Sequence, residues 1–274
     1  MLDAQLEADF CLEPGVLRHA RAQGSTLLRS ARLPLDRMAS HRRLFRDHFE
    51  MRLGNFRGIT LLCTHHERVG DEITALLGGD AGNWVGDYST LRKLNDYLTP
   101  YALQNSGTAL FFTPGSGVFD ESYRERTEAR LNQVTASLAG RLELRWLTPA
   151  EIDNFRAENP FTNALGFSDI RPDVLVLAAH LDGEPIGMAG ASADSAQMYQ
   201  IGIDVLPKHR NTGLATVLVR TLTTAALDEG FLPFYGTSPS HIVSQRLALA
   251  AGYTPAWWEY VSSSLLDTAL DDPR

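Results

Sequence analysis

The chain has 274 residues, and its 44% hydrophobic and 21% charged residues are typical of a folded, soluble protein long enough for two domains. Its 33 acidic residues outnumber its 25 basic residues, and the net charge of −8 argues against a broad nucleic-acid-binding face. Two cysteines are too few for a disulfide framework, and we find neither a signal peptide nor an apolar run of ~20 residues, so we expect a cytoplasmic protein with no membrane or nucleic-acid partner.

The N-terminal half alternates between helical and strand patterns. Apolar and charged positions at helical spacing predict helices over residues 16–32, 35–53, 69–77, 90–98 and 120–138. Short apolar runs followed by glycine or proline clusters predict buried strands over residues 58–65 and 108–113. The helix predicted over residues 120–138 joins the two halves of the chain, and we place the domain boundary near Gly140.

Four residues with metal-binding side chains lie close together at the end of the first predicted strand. They are Cys63, His65, His66 and Glu67. Neighbouring strand residues point to opposite faces of a sheet, and no second group of ligands is spaced to complete four-coordination. We therefore expect no metal site.

Beyond Gly140 the pattern becomes rich in strands. Predicted strands cover residues 142–147, 174–180, 185–191, 198–205, 232–236 and 256–262. Predicted helices begin at a capping box, residues 148–151, and continue over residues 212–229 and 240–251. Asp182 and Gly183 indicate a hairpin turn between the second and third of these strands.

One segment, residues 201–215, runs from a strand through a basic turn directly into an amphipathic helix. A helix N-terminus presents free main-chain N–H groups and the positive end of the helix dipole, so it suits an anion such as a pyrophosphate. Lys208, His209 and Arg210 add charge just before this helix, and Gly213 removes a side chain that would block close approach. Taken alone, the pattern also fits an ordinary charged loop.

Two motifs give this segment a more specific interpretation. Residues 210–215, Arg-Asn-Thr-Gly-Leu-Ala, resemble the cofactor motif Gln/Arg-x-x-Gly-x-Gly/Ala of the GNAT superfamily of N-acetyltransferases. Residues 240–244 and 248–253 resemble the later helix of that superfamily, which ends in Gly-Phe/Tyr. The resemblance is strong over the last half of the chain. More narrowly, the sequence is similar to a bacterial subgroup of this superfamily that carries an extra N-terminal domain.

The resemblance implies an α/β (α+β) fold class. A mixed, splayed β-sheet flanked by helices would occupy residues 141–274, after a smaller mixed α/β accessory domain over residues 1–140. It also implies acetyl-CoA as co-substrate, with the pantetheine arm along the strand that ends at Val205 and the pyrophosphate at the helix start. The implied cofactor-binding residues are Val205, Lys208, His209, Arg210, Asn211, Thr212, Gly213, Leu214, Ala215 and His241.

The chain departs from the superfamily pattern at two positions. His241 stands at the start of the later helix, where many relatives have an asparagine. Ala248 stands where many relatives have a tyrosine that protonates the leaving thiolate. General-acid catalysis by a tyrosine at residue 248 is therefore excluded.

Asp204 and Ser244 are the catalytic candidates. A charged residue inside an apolar strand needs a partner or a polar cleft, so Asp204 is the predicted base; the alternative is that it hydrogen-bonds the following turn. Ser244 lies one helical turn beyond Ser240 and is predicted to hydrogen-bond the pantetheine or the departing sulfur, with helix capping or polar packing as the alternative. For Glu259 we consider an acceptor pocket and favour an exposed strand edge.

These observations predict a two-domain N-acetyltransferase that moves an acetyl group from acetyl-CoA directly to the primary amine of a small molecule. Two other classes stay open. The missing tyrosine fits a non-catalytic sensor of acyl-CoA or a metabolite, and the N-terminal domain fits a protein acetyltransferase that recruits a macromolecule. For the oligomeric state we consider a homodimer.

Overall fold

The computed structural model describes residues 1–33, 40–43, 50–65 and 67–264. The chain divides into two compact units, Met1–Phe111 with Ala256–Arg274, and Phe112–Pro255. Both units contain helices and strands, so the predicted mixed α/β class is confirmed. No helix within the described ranges is long and apolar enough to cross a membrane.

Helices and strands alternate along most of the chain. In chain order the helices are α1 (Leu2–Asp9), α2 (Val16–Gln23), α3 (Glu67–Leu77), α4 (Tyr88–Leu98), α5 (Ser122–Ser137), α6 (Pro149–Asp153), α7 (Leu214–Asp228) and α8 (Ile242–Ala250). The strands are β1 (Leu27–Ala31), β2 (Met51–Phe56), β3 (Ile59–Thr64), β4 (Leu103–Pro114), β5 (Leu142–Trp146), β6 (Asp173–Leu181), β7 (Glu184–Ala193), β8 (Met198–Val205), β9 (Leu232–Thr237) and β10 (Tyr253–Ser264).

The first unit is built on a mixed sheet with the strand order β1-β3-β2-β10-β4. β1 runs parallel to β3, whereas β2 pairs antiparallel with both β3 and β10. Ile73 of α3 and Leu94 of α4 pack with Leu53 and Leu62 of the sheet in a fully buried core. The strand predicted over residues 58–65 and the helices predicted over residues 69–77 and 90–98 are confirmed as β3, α3 and α4.

Two predicted helices of this unit are wrong in part. The helix predicted over residues 16–32 ends at Gln23, because Gly24 adopts a left-handed conformation with φ of 68°. The segment after it forms β1. The helix predicted over residues 35–53 is wrong at its end, which lies in β2, while residues 34–39 and 44–49 lie outside the described residues. In both places pairing with β3 outweighs the local helical spacing.

The second unit contains a sheet with the strand order β9-β8-β7-β6-β5. β5 to β8 form an antiparallel meander, and β8 pairs parallel with β9. Asp182 and Gly183, with φ of 54° and 88°, make the predicted hairpin turn between β6 and β7. Thr148 and Glu151 form the predicted capping box of α6. Helix α7 lies against β6, β7 and β8 and buries its apolar face there.

The compact units divide the chain at positions that differ from the predicted boundary near Gly140. Helix α5 belongs to the second unit, where it packs against α7 and where Tyr123 Oη donates a 2.7 Å hydrogen bond to the Ala251 carbonyl oxygen. Residues 256–264 of β10 belong to the first unit, where they pair with β2. The domain ranges 1–140 and 141–274 stay a prediction.

Candidate functional site

The candidate site begins where two parallel strands of the second unit separate. Within the described residues, β8 and β9 pair over three positions, residues 198–200 against 232–234. Beyond them β8 continues to Val205 and β9 to Thr237 without pairing to each other. The facing main-chain groups of these two strand ends are therefore available to an extended ligand.

A cavity of about 620 Å³ lies in this gap. Its walls are the separated ends of β8 and β9, the turn before α7, the first turn of α7 and the start of α8. A volume of this order is usual for small-molecule and cofactor sites. The lining residues are Asn163, residues 200–205, residues 209–216, residues 235–238, His241, Val243, Ser244 and Leu247.

The turn between β8 and α7 depends on two residues with a left-handed conformation. They are Asn211, with φ of 63°, and Gly213, the N-cap of α7, with φ of 88°. Thr212 Oγ1 accepts a 3.3 Å hydrogen bond from the N–H of Leu214. The next N–H groups of the first turn have no carbonyl partner inside the helix, and the glycine N-cap offers no side chain to them. The start of α7 therefore has a geometry that suits an anion.

All of the predicted cofactor-binding residues except Lys208 line the cavity. Lys208 lies exposed in the 3-10 turn Pro207–His209, outside the cavity wall. Arg210 Nε donates a 3.0 Å hydrogen bond to the carbonyl oxygen of Val205, so this side chain fastens the turn to the end of β8. The structure thus brings these residues together, while their binding roles stay predictions.

Arg130 of α5 lies directly against Gly213, and sequence reasoning missed it. A Cβ atom built on Gly213 would lie 2.4 Å from Arg130 Nη2 and 2.9 Å from Arg130 Cζ. The guanidinium therefore covers one side of the glycine that we expected to be open for close ligand approach. The charge pattern of α5 indicates a helix, but it does not indicate which loop that helix contacts.

Asp204 lines the cavity and is hydrogen-bonded to the loop of residues 159–165. Its Oδ2 accepts hydrogen bonds from the main-chain N–H groups of Asn163 at 2.7 Å and Ala164 at 3.2 Å, and its Oδ1 accepts one from Asn163 Nδ2 at 2.6 Å. The same loop crosses Gly202, where an added Cβ atom would lie 1.7 Å from the Asn163 carbonyl oxygen. Asp204 therefore holds a loop that precedes β6, and not the turn after β8.

Ser244 of α8 meets Tyr235 of β9 at the cavity wall, with 2.9 Å between the two hydroxyl oxygens. Burial raises the pKa of the Tyr235 phenol above its ordinary value of 10.0, so the phenol keeps its proton at neutral pH. Ala248, at the position of the superfamily tyrosine, is fully buried. An aromatic residue in a strand usually belongs to the core, so the sequence alone does not single out the hydroxyl group of Tyr235.

Glu259 lies in the first unit, where the exposed strand edge favoured for it is wrong; it does not line the cavity. Its side chain is 2% exposed and accepts hydrogen bonds from Arg42, from Arg52 Nη2 at 2.9 Å and from Trp257 Nε1 at 2.6 Å. Asp9 completes the cluster by accepting a 2.5 Å hydrogen bond from Arg42 Nε. Two carboxylates and two guanidinium groups thus form a buried, charge-balanced network, which we call the Asp9–Glu259 network.

The cluster of potential metal ligands after β3 does not assemble in the described part of the chain. Among the described residues, no group of three or more His, Cys, Asp or Glu side chains is placed to hold a metal ion. His66, one of the four residues considered, lies outside the described residues. Cys63 itself is a buried free thiol of the first unit.

The family model described as the acetyltransferase (GNAT) family matches residues 141–253, which confirms the resemblance over that range. A GCN5-related N-acetyltransferase-like protein from Streptococcus suis 89/1591 is 17% identical with a TM-score of 0.44, covering 63% of this chain and 68% of that one. A GCN5-related N-acetyltransferase from Kribbella flavida is 16% identical with a TM-score of 0.41, covering 62% and 63%. The aminoglycoside N-acetyltransferase AAC(6')-Iy, solved with CoA, is 22% identical with a TM-score of 0.33, covering 42% and 89%. No curated protein sequence matches the chain.

Proposed function

Because residues 141–253 form a domain of the GNAT acetyltransferase family, we propose that the chain transfers the acetyl group of acetyl-CoA directly to the primary amine of a small molecule. The observation that carries this proposal is the cavity between the separated ends of β8 and β9, which reaches the N-terminus of α7. One extended ligand can therefore contact a strand edge and an anion-binding helix start together. Acetyl-CoA has this form, because a pantetheine arm joins its thioester to a pyrophosphate.

The donor binds mainly through main-chain groups in this proposal. The free edge of β8 up to Val205 hydrogen-bonds the amides of the pantetheine arm. The pyrophosphate accepts hydrogen bonds from the N–H groups of Ala215 and Thr216 in the first turn of α7, beside His209 and Arg210. The donor would thus contact the main chain of β8 and the basic turn that follows it in the chain.

Acetyl transfer requires two proton movements. The amine nitrogen attacks the thioester carbonyl carbon, the C–S bond breaks, the amine loses one proton and the CoA thiolate gains one. Asp204 is the carboxylate among the residues that line the cavity, and each of its oxygens can accept more than one hydrogen bond. It can therefore take the amine proton, directly or through water, while it holds Asn163.

The thiolate receives its proton from the hydroxyl pair of Ser244 and Tyr235 in this proposal. The 2.9 Å hydrogen bond between them lets Tyr235 replace a proton that Ser244 gives to the sulfur. The raised pKa of the phenol keeps Tyr235 protonated at neutral pH. A hydroxyl pair on β9 and α8 thus takes the role that many relatives give to the tyrosine at the position of Ala248.

The proposal is tested first by calorimetric titration of the full chain with acetyl-CoA, CoA and ATP as a nucleotide control. We expect acetyl-CoA and CoA to bind and ATP to bind much more weakly, because ATP has no pantetheine arm to pair with β8. No heat of binding from acetyl-CoA with folded protein would overturn the proposed function.

A matched pair of variants locates the site. Thr216→Glu places a carboxylate in the first turn of α7, where it suits the helix dipole but repels phosphate, and Thr216→Gln adds the same bulk without charge. We expect the Glu variant to bind acetyl-CoA more weakly than the Gln variant, at equal thermal stability. Equal affinities would exclude this helix start as the phosphate site.

Turnover separates an enzyme from a sensor. Release of free CoA thiol is measured with a panel of small primary amines and, in parallel, with lysine-containing peptides. Thiol release that depends on a small amine supports the proposed function, and release with peptides alone favours a protein acetyltransferase. Tight binding without release for any amine favours the sensor.

A further inference from the structure

Arg130 is a cation outside the family match that the fold places beside the proposed phosphate site. Helix α5 ends at Ser137, before the matched range begins at residue 141. Its Arg130 nevertheless lies on Gly213, the N-cap of α7, so closely that a Cβ atom there would be 2.4 Å from Nη2 and 2.9 Å from Nε. The guanidinium group therefore lies against the N-cap residue of the helix whose first N–H groups are open.

The charge of Arg130 is not balanced by a neighbouring carboxylate. Within the described ranges no Asp or Glu oxygen lies within 4.0 Å of it, and its Nη1 donates a 3.0 Å hydrogen bond to the neutral Gln133 Oε1. Arg124 on the same helix differs, because it forms an ion pair with Asp228. An exposed guanidinium without a carboxylate partner, next to the positive end of a helix, increases the attraction of that end for phosphate.

We infer that Arg130 is an anion-binding residue of the donor site, which contacts a phosphate group of the acyl donor and gives the site a preference for phosphorylated donors over phosphate-free pantetheine thioesters. The inference rests on the proposed function, because it assumes that the donor's phosphates lie at the start of α7. Helix α5 then serves the donor site as well as packing against α7.

The test measures the dissociation constants of three donors for the wild-type chain and for Arg130→Gln. Acetyl-CoA carries the pyrophosphate and the 3′-phosphate, acetyl-dephospho-CoA carries the pyrophosphate alone, and acetyl-pantetheine carries no phosphate. We expect Arg130→Gln to weaken acetyl-CoA about tenfold or more, since one charge-assisted contact is lost, and to leave acetyl-pantetheine unchanged. The wild-type affinity for acetyl-CoA should also fall with added salt more steeply than that of the variant.

The matched control is Arg126→Gln, which removes the same charge one turn earlier on α5. Arg126 donates hydrogen bonds to Ser122 Oγ and to the Gly117 carbonyl oxygen, away from Gly213. We expect its effect on acetyl-CoA to be less than twofold. An equal loss in both variants would overturn the specific role of Arg130 and leave only a general effect of net charge.

The outcomes separate this inference from the function on which it rests. If the wild-type chain binds acetyl-CoA and Arg130→Gln binds it equally well, the inference is wrong and the proposed function stands. If Arg130→Gln weakens acetyl-pantetheine as much as acetyl-CoA, the residue supports the fold and the inference is again wrong. If the folded wild-type chain binds none of the donors, the proposed function itself fails. If Arg130→Gln loses affinity for both acetyl-CoA and acetyl-dephospho-CoA, Arg130 contacts the pyrophosphate. If it loses affinity for acetyl-CoA alone, Arg130 contacts the 3′-phosphate. Both results support the inference.

Discussion

Asp204 and Asn163 are joined by two hydrogen bonds, one from the main-chain N–H of Asn163 at 2.7 Å and one from its Nδ2 at 2.6 Å. The contact ties the cavity wall of β8 to the loop of residues 159–165, which belongs to the same unit. The carboxylate therefore positions a loop, and the proton transfer proposed for it is a second role. The two roles lead to different results when each partner is changed.

Asp204→Asn should lower turnover and leave the affinity for acetyl-CoA within twofold of wild type. The amide keeps one acceptor oxygen but turns an NH₂ group toward the N–H donors of the loop, which should cost about 1–3 kcal/mol of unfolding free energy. Steady-state kinetics, calorimetry and urea unfolding measure the three quantities. Asn163→Ala is the control, because it removes a positioning contact and keeps the carboxylate. If that variant loses as much turnover as Asp204→Asn, the role of Asp204 is positioning alone.

Gly202→Ala should displace the loop of residues 159–165. Its Cβ atom would lie 1.7 Å from the main-chain oxygen of Asn163, so the loop must move, and we expect a destabilisation of about 1–3 kcal/mol or more together with a raised KM for the amine. Gly166→Ala is the matched control in the second unit, because its Cβ atom would approach only Asp173 Oδ1, at 4.0 Å. Equal unfolding free energies for the two variants would contradict the close contact.

Tyr235→Phe should lower kcat about tenfold or more and leave acetyl-CoA binding unchanged, because it removes the hydroxyl group that supports Ser244. A proton donor acts only while it is protonated, and burial raises the pKa of Tyr235, so the wild-type kcat should not decline through loss of this proton until the pH exceeds 10.0. Tyr199→Phe is the control, since Tyr199 stacks on Phe231 outside the cavity. A full kcat in Tyr235→Phe would exclude the phenol from proton transfer.

Glu259→Gln should destabilise the first unit by about 3–5 kcal/mol, because Arg42 and Arg52 would then share one buried carboxylate. Urea unfolding followed by tryptophan fluorescence measures this loss, and Trp257, whose Nε1 donates to Glu259, is one of the four tryptophans that contribute to the signal. Arg68→Gln is the comparison, because that exposed side chain takes part in a surface ion pair that solvent screens. A loss in Glu259→Gln no larger than in Arg68→Gln would contradict the energetic role of the buried network.

The stability of the first unit should fall in acid through Asp9. Burial alone would raise the pKa of Asp9, but Arg42 and Arg52 outweigh it and lower the pKa below 3.8. A carboxyl group with a lowered folded pKa contributes stability that is fully present above its unfolded value of about 3.9 and is lost as the pH falls through the folded value. Thermal unfolding between pH 7 and pH 2 should show this loss below about pH 4. Asp9→Asn should be less stable at pH 7 and should show a smaller further loss in acid.

Features that depend on neighbouring residues were predictable from the sequence. Thr148 and Glu151 lie three positions apart and form the capping box. Asp182 and Gly183 are adjacent and form the hairpin turn, and Gly213 marks the left-handed start of α7 because glycine adopts that conformation at low cost. The turn between β8 and α7 was therefore predictable along the chain, and its role in donor binding stays a prediction.

Features that depend on distant residues were not predictable. Glu259 meets Arg42 and Arg52 across 217 and 207 positions, and alternation along a strand cannot reveal such partners. Arg130 meets Gly213 through the packing of α5 on α7, which no local pattern encodes. β1 is another example. Its sequence has helical spacing, but the segment forms a strand because it pairs in parallel with β3, which follows later in the chain.

The Asp9–Glu259 network also has a consequence for synthesis on the ribosome. Arg42 and Arg52 are translated early, but the carboxylate that balances half of their charge arrives only after every residue of Phe112–Pro255. The buried network of the first unit therefore cannot form until residue 259 has been synthesised. Every residue of the second unit precedes residue 259 in the chain. The unit that contains the N-terminus therefore receives its last residues at the end of synthesis, so a chain stalled before residue 259 lacks a carboxylate that the network needs.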